Sequence, residues 1–377
     1  MLQETFARKD IGTDRSSVGL VHIVTGSFGA GHDAAAREIA VRFEDRGYET
    51  RTWDIVDLFP AGLGRVLRAG YLRQLEIAPA SWGFLLAGLK PGSSRHRWAC
   101  RGLRLTRRRL RAVGAARPDV IVSTHPFASQ ALGALRASGE LSTPVVTYLT
   151  DMSVHPFWVH PAVDLHLAWH DVPAAQARSW GGHTRTVRPL VPPEYGAASG
   201  PVLSRAASRR ALNLPALGPL ALVAGGSLGI GDLEQTARDV LATGLAQPVV
   251  LCGSNHALYE RVLSMSSTHA LGWRDDMPTV LAAVDCVVQN SGGFLSLETL
   301  AAGTPAVSYG CIPGHGESNA AALHEAGLIP WAHGVAGLWA CLEAALTRNR
   351  SQARRADVRP ALDIVDAVFP HRVRTPA

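Results

Sequence analysis

The sequence of 377 residues has few cysteines and no long apolar run. Its five cysteines are odd in number, widely spaced and without a Cys-x-x-Cys pair. That pattern argues against a disulfide framework or a zinc site, and it predicts a reducing, cytoplasmic compartment. No run of about eighteen apolar residues occurs, so we expect no segment to span a bilayer. Residues 1–17 mix charges of both signs, so we expect no signal peptide there.

Acidic residues are almost missing from one part of the chain. Residues 61–117 hold thirteen basic residues and a single acid, Glu76, whereas the whole chain has 37 Lys and Arg against 31 Asp and Glu. The overall charge of +6 is therefore the sum of +12 on residues 61–117, called here the basic insert, and −6 on the rest of the chain. A protein that binds nucleic acid through overall basicity is excluded, and we expect no nucleic-acid partner.

Short apolar runs alternate with helical patterns along most of the chain, which predicts an α/β fold with parallel sheets. The predicted strands are Gly19–Thr25, Thr50–Asp54, Val120–Ser123, Pro144–Leu149, Leu165–Ala168, Leu220–Ala224, Pro248–Leu251, Cys286–Gln289 and Ala306–Ser308, and the first helix is predicted over Asp33–Arg46. A proline-rich linker interrupts the series. We therefore predict two doubly wound, Rossmann-like domains that face a central cleft.

The domain boundaries follow from the linker. The first domain is predicted over residues 18–190, the linker over 191–219 and the second domain over 220–355. The tail, 356–377, reads as a helix from about Asp357 to Phe369 that crosses back to the first domain.

The first strand runs into a glycine-rich turn that ends at His32. Glycines allow a backbone to approach a ligand closely, and a helix N-terminus disfavours the imidazolium form of a histidine. A neutral imidazole that faces a cleft is a suitable general base. Two other readings stay open: the turn is purely structural, or His32 is a helix-start histidine bonded to backbone.

Two more glycine-rich turns follow strands of the second domain, at residues 225–231 and 290–293. Both would direct backbone N–H groups at one place, which favours a diphosphate. Glu298 lies further along the helix after the second turn, where its carboxylate could accept both hydroxyls of a ribose. The alternative is a glutamate on a helix surface.

Four segments in this order resemble the monogalactosyldiacylglycerol synthase and processive diacylglycerol glucosyltransferase family, which is related to the transferase that makes lipid II. They are Gly26–Ala36; Thr150–Trp158 with Val163 and Asp164; Gly225–Gly229; and Gly272 through Asp276, Met277, Pro278 and Ser291–Gly293 to Glu298, Pro313, Gly314 and Asn319. The resemblance covers about residues 19–350. It implies the GT-B architecture and inverting transfer from a UDP-sugar.

The resemblance also implies roles for single residues. His32 and Asp151 would be catalytic, with His32 as the base, and Gly29, Gly31 and His155 would contact the acceptor. The nucleotide-sugar would be held by Gly226, Ser227, Leu228, Gly229, Trp273 at the uracil, Ser291, Gly292, Gly293, Glu298 at the ribose, His315, Glu317 and Asn319. The family usually has a Gln-Glu pair after the Pro-Gly. His315 and Gly316 stand there instead, so Glu317 is a candidate substitute.

We therefore expect a glycosyltransferase that moves a hexose from UDP-glucose or UDP-galactose to the hydroxyl of a diacylglycerol-like lipid. No Asp-x-Asp motif occurs in the sequence, so we expect neither a metal nor another cofactor. The alternatives are a glycosyltransferase with a soluble natural-product acceptor, a protein like UDP-N-acetylglucosamine 2-epimerase, and a degenerate nucleotide-binding protein.

The basic insert predicts contact with a membrane. On a helical projection its arginines Arg97, Arg101, Arg104, Arg108 and Arg111 share one side, and Ala99, Leu103, Leu110 and Val113 share the other. An apolar stretch with Trp82, Phe84, Leu85 and Leu86 precedes them. A basic amphipathic helix beside apolar residues is typical of a protein on an anionic leaflet, here the inner face of the cell membrane. The alternative is a solvated helix face.

Overall fold

A computed structural model describes residues 18–77, 88–90, 92–195, 204–347 and 362–370. Its strands form two sheets in which every described pairing is parallel. The first sheet holds β1 (Leu20–Thr25), β2 (Glu49–Asp54), β3 (Val120–Ser123), β4 (Val145–Tyr148), β5 (Leu165–Ala168) and β6 (Thr184–Thr186). The second holds β7 (Leu220–Ala224), β8 (Gln247–Gly253), β9 (His269–Gly272), β10 (Cys286–Gln289) and β11 (Ala306–Ser308).

Helices cover both faces of each sheet. The first domain contains α1 (Ala30–Glu44), α2 (Leu63–Ile77), α3 (Ser94–Leu103), α4 (Arg107–Ala115), α5 (Pro126–Ala137) and α6 (Asp171–Ser179). The second contains α7 (Arg205–Ala211), α8 (Leu233–Thr243), α9 (His256–Leu263), α10 (Met277–Ala283), α11 (Phe294–Ala302), α12 (His315–Glu325) and α13 (Gly334–Thr347), and α14 (Ile364–Val368) follows. The predicted two-domain α/β architecture is confirmed.

Burial explains why the apolar runs form strands. Strands β3, β4, β7 and β10 are buried along their whole length, because helices pack on both sides of them. The predicted strands all occur, within about two residues of their predicted ends. Two edge strands, β6 and β9, were not predicted, because they are short and only partly buried.

The strand orders place a cleft at the carboxyl ends of both sheets. The first sheet has the order β2-β1-β3-β4-β5-β6 and the second the order β11-β10-β7-β8-β9. The order reverses next to β1 in one sheet and next to β7 in the other. Crevices at such switch points are the usual ligand sites of doubly wound sheets. The glycine-rich turns after β1, β7 and β10 therefore all open into the cleft.

The basic insert differs from the single helix that the sequence predicted. A short 3₁₀ turn, Arg104–Thr106, separates α3 from α4. Thr106 is buried, and its hydroxyl donates to the carbonyl of Leu103 at 2.7 Å, a bond that competes with the helical ladder. Leu103, Leu110 and Val113 are buried as expected, and the five arginines are exposed. Trp82, Phe84, Leu85 and Leu86 lie outside the described residues.

The last described segment lies on the first domain. Val187 forms a parallel bridge with Leu362, and Arg42 pairs with Asp363 at 3.0 Å. Ile364 and Val365 are buried in the same cluster as the inner residues of α1. The helix α14 begins at Ile364, and the earlier start predicted at Asp357 falls outside the described residues.

None of the helices in the described ranges is both long enough and apolar enough to cross a bilayer.

Candidate active site

The turn after β1 places His32 in the first turn of α1. Gly29 precedes the helix in an extended conformation, and Thr25 donates its hydroxyl to Asp33 at 2.9 Å. Gly26 has a packing reason to lack a side chain, because a Cβ there would lie 2.6 Å from Cγ of His125. The chain therefore turns tightly against the His125 ring, and this turn places His32 on the wall of the cleft.

A hydrogen bond selects the tautomer of His32. Its Nδ1 lies 2.8 Å from the carbonyl oxygen of Thr124. A carbonyl only accepts, so we assign the proton to Nδ1, which leaves the lone pair on Nε2. Burial lowers the pKa of His32, against the opposing effect of the Asp151 carboxylate. The ring is thus kept neutral, and burial is the main cause rather than the helix N-terminus that the sequence suggested.

Asp151 follows β4 and is buried between both domains. Its Oδ2 accepts a hydrogen bond from the indole of Trp158 at 3.0 Å, and its Oδ1 lies 3.5 Å from Nε2 of His315. Burial alone would raise the pKa of Asp151, but the neighbouring imidazoles, His315 most of all, hold it well below the usual range. Asp151 is therefore an ionised carboxylate within a cluster of imidazoles.

His315 begins α12 and brings the second domain into this cluster. Burial would lower its pKa, but Asp151 raises it. Asn319, one turn later, accepts a bond from the backbone N–H of Ser153 at 2.8 Å. The amide nitrogen of Asn319 also lies 3.2 Å from His315 Nε2. Nε2 of His315 can donate to Asp151 only when it carries a proton, and it can accept from Asn319 only when it does not. Protonation of Nε2 therefore favours the contact with Asp151.

The donor side of the cleft is built from two connected turns. Gly226 and Gly229 have φ angles of +72° and +56°, and a Cβ on Gly229 would lie 2.5 Å from the carbonyl oxygen of Cys252. The side chain of Asn290 donates to the carbonyl of Ile230 at 2.7 Å and so ties the turn after β10 to the turn after β7. Gly293 precedes α11, whose first N–H groups have no partner within the helix.

Glu298 lies on α11 and faces the cleft beside the linker. The hydroxyl of Tyr195 donates to its Oε1 at 2.6 Å. Burial raises the pKa of Glu298 to about 7, and the bond from Tyr195 acts in the opposite direction. Trp273 lies on the same wall with 59% of its surface exposed. A carboxylate and an exposed aromatic face are thus available to a ribose and a base.

The cleft has a volume of about 1670 Å³ and runs from these turns into the first domain. This is more space than the roughly 300–1,000 Å³ of an ordinary small-molecule pocket. Its far end is apolar, with a wall formed by Phe28, Leu63, Val66, Leu67, Tyr71, Trp98, Leu105 and Phe127. The cleft therefore has room for a nucleotide-sugar and for a bulky apolar second substrate.

Most of the predicted site residues line this cleft, and four do not. Those on its wall are Gly29, Gly31, His32, Asp151, His155, Gly226, Ser227, Leu228, Trp273, Ser291, Gly293, Glu298 and His315. Gly229 and Gly292 pack against backbone and Asn319 inside their turns, and Asn319 itself joins the two domains.

Glu317 is the fourth residue away from the cleft wall. Its carboxylate accepts the backbone N–H of Gly314 at 3.1 Å and caps α12. The structure therefore does not place Glu317 where it would substitute for the missing Gln-Glu pair, and His315 occupies that part of the wall instead. The reason is local: a glutamate in the third position of a helix folds back onto its N-terminus.

Sequence reasoning missed His125 and Tyr195. His125 comes two residues after the end of β3, next to the switch point, so the rule that was applied to β1 would have found it. Tyr195 lies in the proline-rich linker, where no pattern points to a contact with Glu298. The apolar wall was also missed, because its residues come from α2, α3, α5, the turn after β1 and the 3₁₀ turn between α3 and α4.

Among the residues that the structure describes, no group of three or more His, Cys, Asp and Glu side chains is arranged to hold a metal ion. Three cationic side chains lie on the cleft wall, Arg37, Arg95 and Arg274. Arg274 is already paired with Asp276, with Nε 2.7 Å from Oδ1.

Comparisons with known proteins agree with the resemblance that the motifs carry. The model of the monogalactosyldiacylglycerol (MGDG) synthase family matches residues 32–193, which begin at His32 and end in the linker. Monogalactosyldiacylglycerol synthase 1 of Arabidopsis thaliana is 28% identical over 57% of this chain and 41% of its own length. A processive diacylglycerol beta-glucosyltransferase of Bacillus cereus is 23% identical over 93% of both chains. The resemblance inferred from the motifs is confirmed.

A solved structure supports the fold. The crystal structure of HepE from Anabaena in complex with UDP-glucose matches with a TM-score of 0.53 and 15% identity, over 89% of this chain and 91% of that one. The chain thus has the GT-B architecture that the sequence predicted.

Proposed function

We propose that this GT-B chain, with its resemblance to the diacylglycerol-glycosylating enzymes, transfers a hexose from a UDP-sugar to the hydroxyl of a diacylglycerol-like lipid. One observation carries the proposal. The neutral His32 lies where an apolar wall meets two glycine-rich turns, so that a lipid hydroxyl and a nucleotide diphosphate would meet beside it. The names of the related proteins from Arabidopsis and Bacillus point to the same chemistry.

The acceptor hydroxyl is a poor nucleophile until its proton is removed. In the proposed reaction the hydroxyl oxygen attacks the anomeric carbon and its proton passes to Nε2 of His32. The bond from that carbon to the diphosphate breaks on the opposite face, so UDP leaves and the configuration inverts. The negative charge of Asp151 stabilises the imidazolium that forms at His32, since it raises the pKa of this ring.

Negative charge grows on the departing diphosphate. The turn at Gly226 and Ser227 and the first turn of α11 present backbone N–H groups to the same region of the cleft. Preorganised donors of this kind stabilise a developing anion without a metal ion. Together with the missing Asp-x-Asp motif, they lead us to propose transfer that requires neither a metal nor a further cofactor.

The donor would be UDP-glucose or UDP-galactose. Glu298 would accept the ribose hydroxyls with the oxygen that Tyr195 does not occupy, and Trp273 would lie beside the uracil; both residues line the cleft, which supports this part of the proposal. The HepE structure, which contains UDP-glucose, supports a UDP-sugar on this fold. His315 stands in the place of the family glutamine and would face the sugar.

The acceptor side would rest on the inner face of the cell membrane. Val66 and Trp98 keep 67% and 69% of their surfaces exposed although they line the cleft, and arginines surround them on α2, α3 and α4. Exposed apolar side chains beside cations suit an anionic lipid surface. A lipid would then reach His32 along the apolar wall without leaving the membrane.

Release of UDP tests the proposal. The protein is incubated with UDP-glucose or UDP-galactose and diacylglycerol in anionic vesicles, and UDP and glycolipid are quantified. We expect turnover that survives EDTA. His32→Ala should abolish turnover and retain UDP affinity, and His269→Ala, on the second sheet away from the cleft wall, should behave as the wild type. Full activity of His32→Ala would disprove the assignment of the base, and dependence on added Mn²⁺ after EDTA would disprove the metal-free mechanism.

A further inference from the structure

His125 is a second histidine at the acceptor end of the cleft, and the proposed chemistry leaves it without a role. It follows β3 and caps α5, and its Nδ1 accepts the backbone N–H of Phe127 at 3.2 Å. Because this nitrogen accepts, it carries no proton in the capped helix. The single proton of the neutral ring is therefore on Nε2.

The surroundings of the ring keep it neutral. Burial lowers the pKa of His125 well below its usual value, and protonation of the neighbouring His32 would lower it further, against the effect of Asp151. His155 contributes in the same direction as His32. Since Nδ1 already accepts from Phe127, the neutral ring offers the cleft an N–H donor on Nε2 rather than a free lone pair.

Packing fixes the direction of this donor. The ring stacks on Phe28 with centroids 5.0 Å apart, and it meets the ring of His32 edge-on at 4.6 Å. Gly26 leaves room for it, since a Cβ there would overlap the ring. His125 lines the cleft, yet its Nε2 has no hydrogen-bond partner among the described residues and is not one of their fully buried unpaired atoms. It is therefore open to a ligand.

We propose that Nε2–H of His125 donates a hydrogen bond to the carbonyl oxygen of an ester group of the acceptor, next to the hydroxyl that His32 deprotonates. The inference rests on the proposed transferase function and specifies its substrate class. The two rings are neighbours, with centroids 4.6 Å apart, so one molecule reaches both when it carries an ester on the carbon adjacent to the hydroxyl-bearing carbon. A diacylglycerol has this arrangement, whereas a simple alcohol and a dialkylglycerol lack the carbonyl oxygen. His125 would then select acyl esters of a polyol over alcohols without a neighbouring carbonyl acceptor.

A diester and a diether of the same chain length distinguish this role from a purely structural one. The ether lacks the carbonyl oxygen but keeps the hydroxyl and the apolar chains. In the wild type we expect kcat/KM for dioctanoylglycerol to exceed that for dioctylglycerol about 10-fold, the usual worth of a neutral hydrogen bond. In His125→Phe, which keeps a ring against Phe28 but has no N–H, we expect this ratio to fall to about 1.

Two further variants control for the cap and for folding. His125→Ser keeps a side chain that accepts at the helix N-cap, and it should lose the ester preference as His125→Phe does. His170 caps α6 in the same way, with Nδ1 3.2 Å from the N–H of Val172, but it does not line the cleft. His170→Ser should therefore leave the preference unchanged. An ester preference that persists in both His125 variants would overturn the proposal.

A spectroscopic test does not depend on turnover. In ¹⁵N-histidine NMR of the wild type we expect His125 as the Nε2–H tautomer at pH 7, with a resonance that shifts on addition of dioctanoylglycerol but not of dioctylglycerol. An Nδ1–H tautomer, or no shift with the diester, would overturn the proposal. If the protein transfers no sugar to any lipid, the proposed function fails, whereas a shift specific to the ester would still support the bond from His125.

Discussion

At the scale of single residues, the site depends on which imidazole holds a proton. His32 bonds to a carbonyl through Nδ1, and His125 bonds to a backbone N–H through Nδ1, so the two neighbouring rings take opposite tautomers. The sequence identified His32, because a glycine-rich turn and a helix start surround it. Sequence alone could not assign the tautomers, because Thr124, the partner of His32, comes from another turn and the cap from His125 to Phe127 depends on the side-chain conformation of His125.

The pH dependence of turnover tests the state of His32. Since burial lowers its pKa, the ring stays unprotonated down to a pH below the usual value of 6.5. We expect kcat/KM for the acceptor, measured with saturating UDP-sugar, to fall as the pH drops through an inflection below 6.5. An inflection above pH 6.5 that no substitution other than one at His32 shifts would contradict the assignment of a buried neutral base. Because the enzyme is saturated with UDP-sugar, the titration of Glu298 near pH 7 in the free protein does not contribute to this profile.

The hydroxyl of Tyr195 is predicted to support ribose binding through Glu298. Its bond opposes the rise in the pKa of Glu298 that burial causes, so Tyr195→Phe should raise this pKa above about 7. More of the carboxyl is then protonated at pH 7, and we expect UDP affinity measured by calorimetry to fall about 3- to 10-fold, the effect of one hydrogen bond. At pH 9 the carboxylate is ionised in both proteins, so the difference should shrink.

Tyr309 supplies the control for that measurement. Its hydroxyl donates to Asp239 at 2.8 Å, a tyrosine–carboxylate pair away from the cleft wall. Tyr309→Phe should leave UDP affinity unchanged at both pH values. Equal losses in the two variants would indicate a general effect on stability and contradict the role of Tyr195.

At the scale of helices and strands, prediction succeeded where burial is continuous. The fully buried strands carry unbroken apolar runs, and they were located almost to the residue. The sequence did not predict the edge strands β6 and β9. Thr184–Thr186 and His269–Gly272 carry mixed polar and apolar side chains, because they lie at partly exposed edges of the sheets. The basic segment was predicted as one helix because the side-chain bond of Thr106 that breaks it depends on burial.

The five arginines of the basic segment are exposed on both sides of the break between α3 and α4. Arg104 and Arg108 have no ion-pair partner among the described residues, whereas Arg107 pairs with Glu140. Replacing both Arg104 and Arg108 with serine should weaken binding to anionic vesicles by about 1 kcal/mol per charge. Co-sedimentation measures the change, and a serine at the exposed Arg210 of the second domain is the control. Equal wild-type binding to neutral and anionic vesicles would contradict the membrane role.

At the scale of the whole molecule, contacts between the domains shape the cleft. Asn319 and His315 of the second domain touch Ser153 and Asp151 of the first, and α14 packs on α1. The motifs predicted which residues lie at each side of the cleft. They did not reveal that a histidine in the place of a glutamine forms a pair with the catalytic-side carboxylate, because no local pattern links residues 151 and 315.

The pair of His315 and Asp151 predicts a pH-dependent stability of the closed molecule. Asp151 raises the pKa of His315 against the effect of burial, so the stabilisation is complete below the unfolded value of 6.5 and is lost as the pH rises through the higher folded pKa. His315→Gln, the residue usual in the family, cannot titrate. We therefore expect the free energy of unfolding of the wild type to exceed that of this variant most at pH 6, by about 1 kcal/mol for a partly exposed ion pair, and least at pH 9. His324→Gln on the exposed end of the same helix α12 should show no such trend. A difference between wild type and His315→Gln that stays constant with pH would show that the imidazole does not carry its proton in the folded protein. His315 would then hold the domains together only as an acceptor for Asn319.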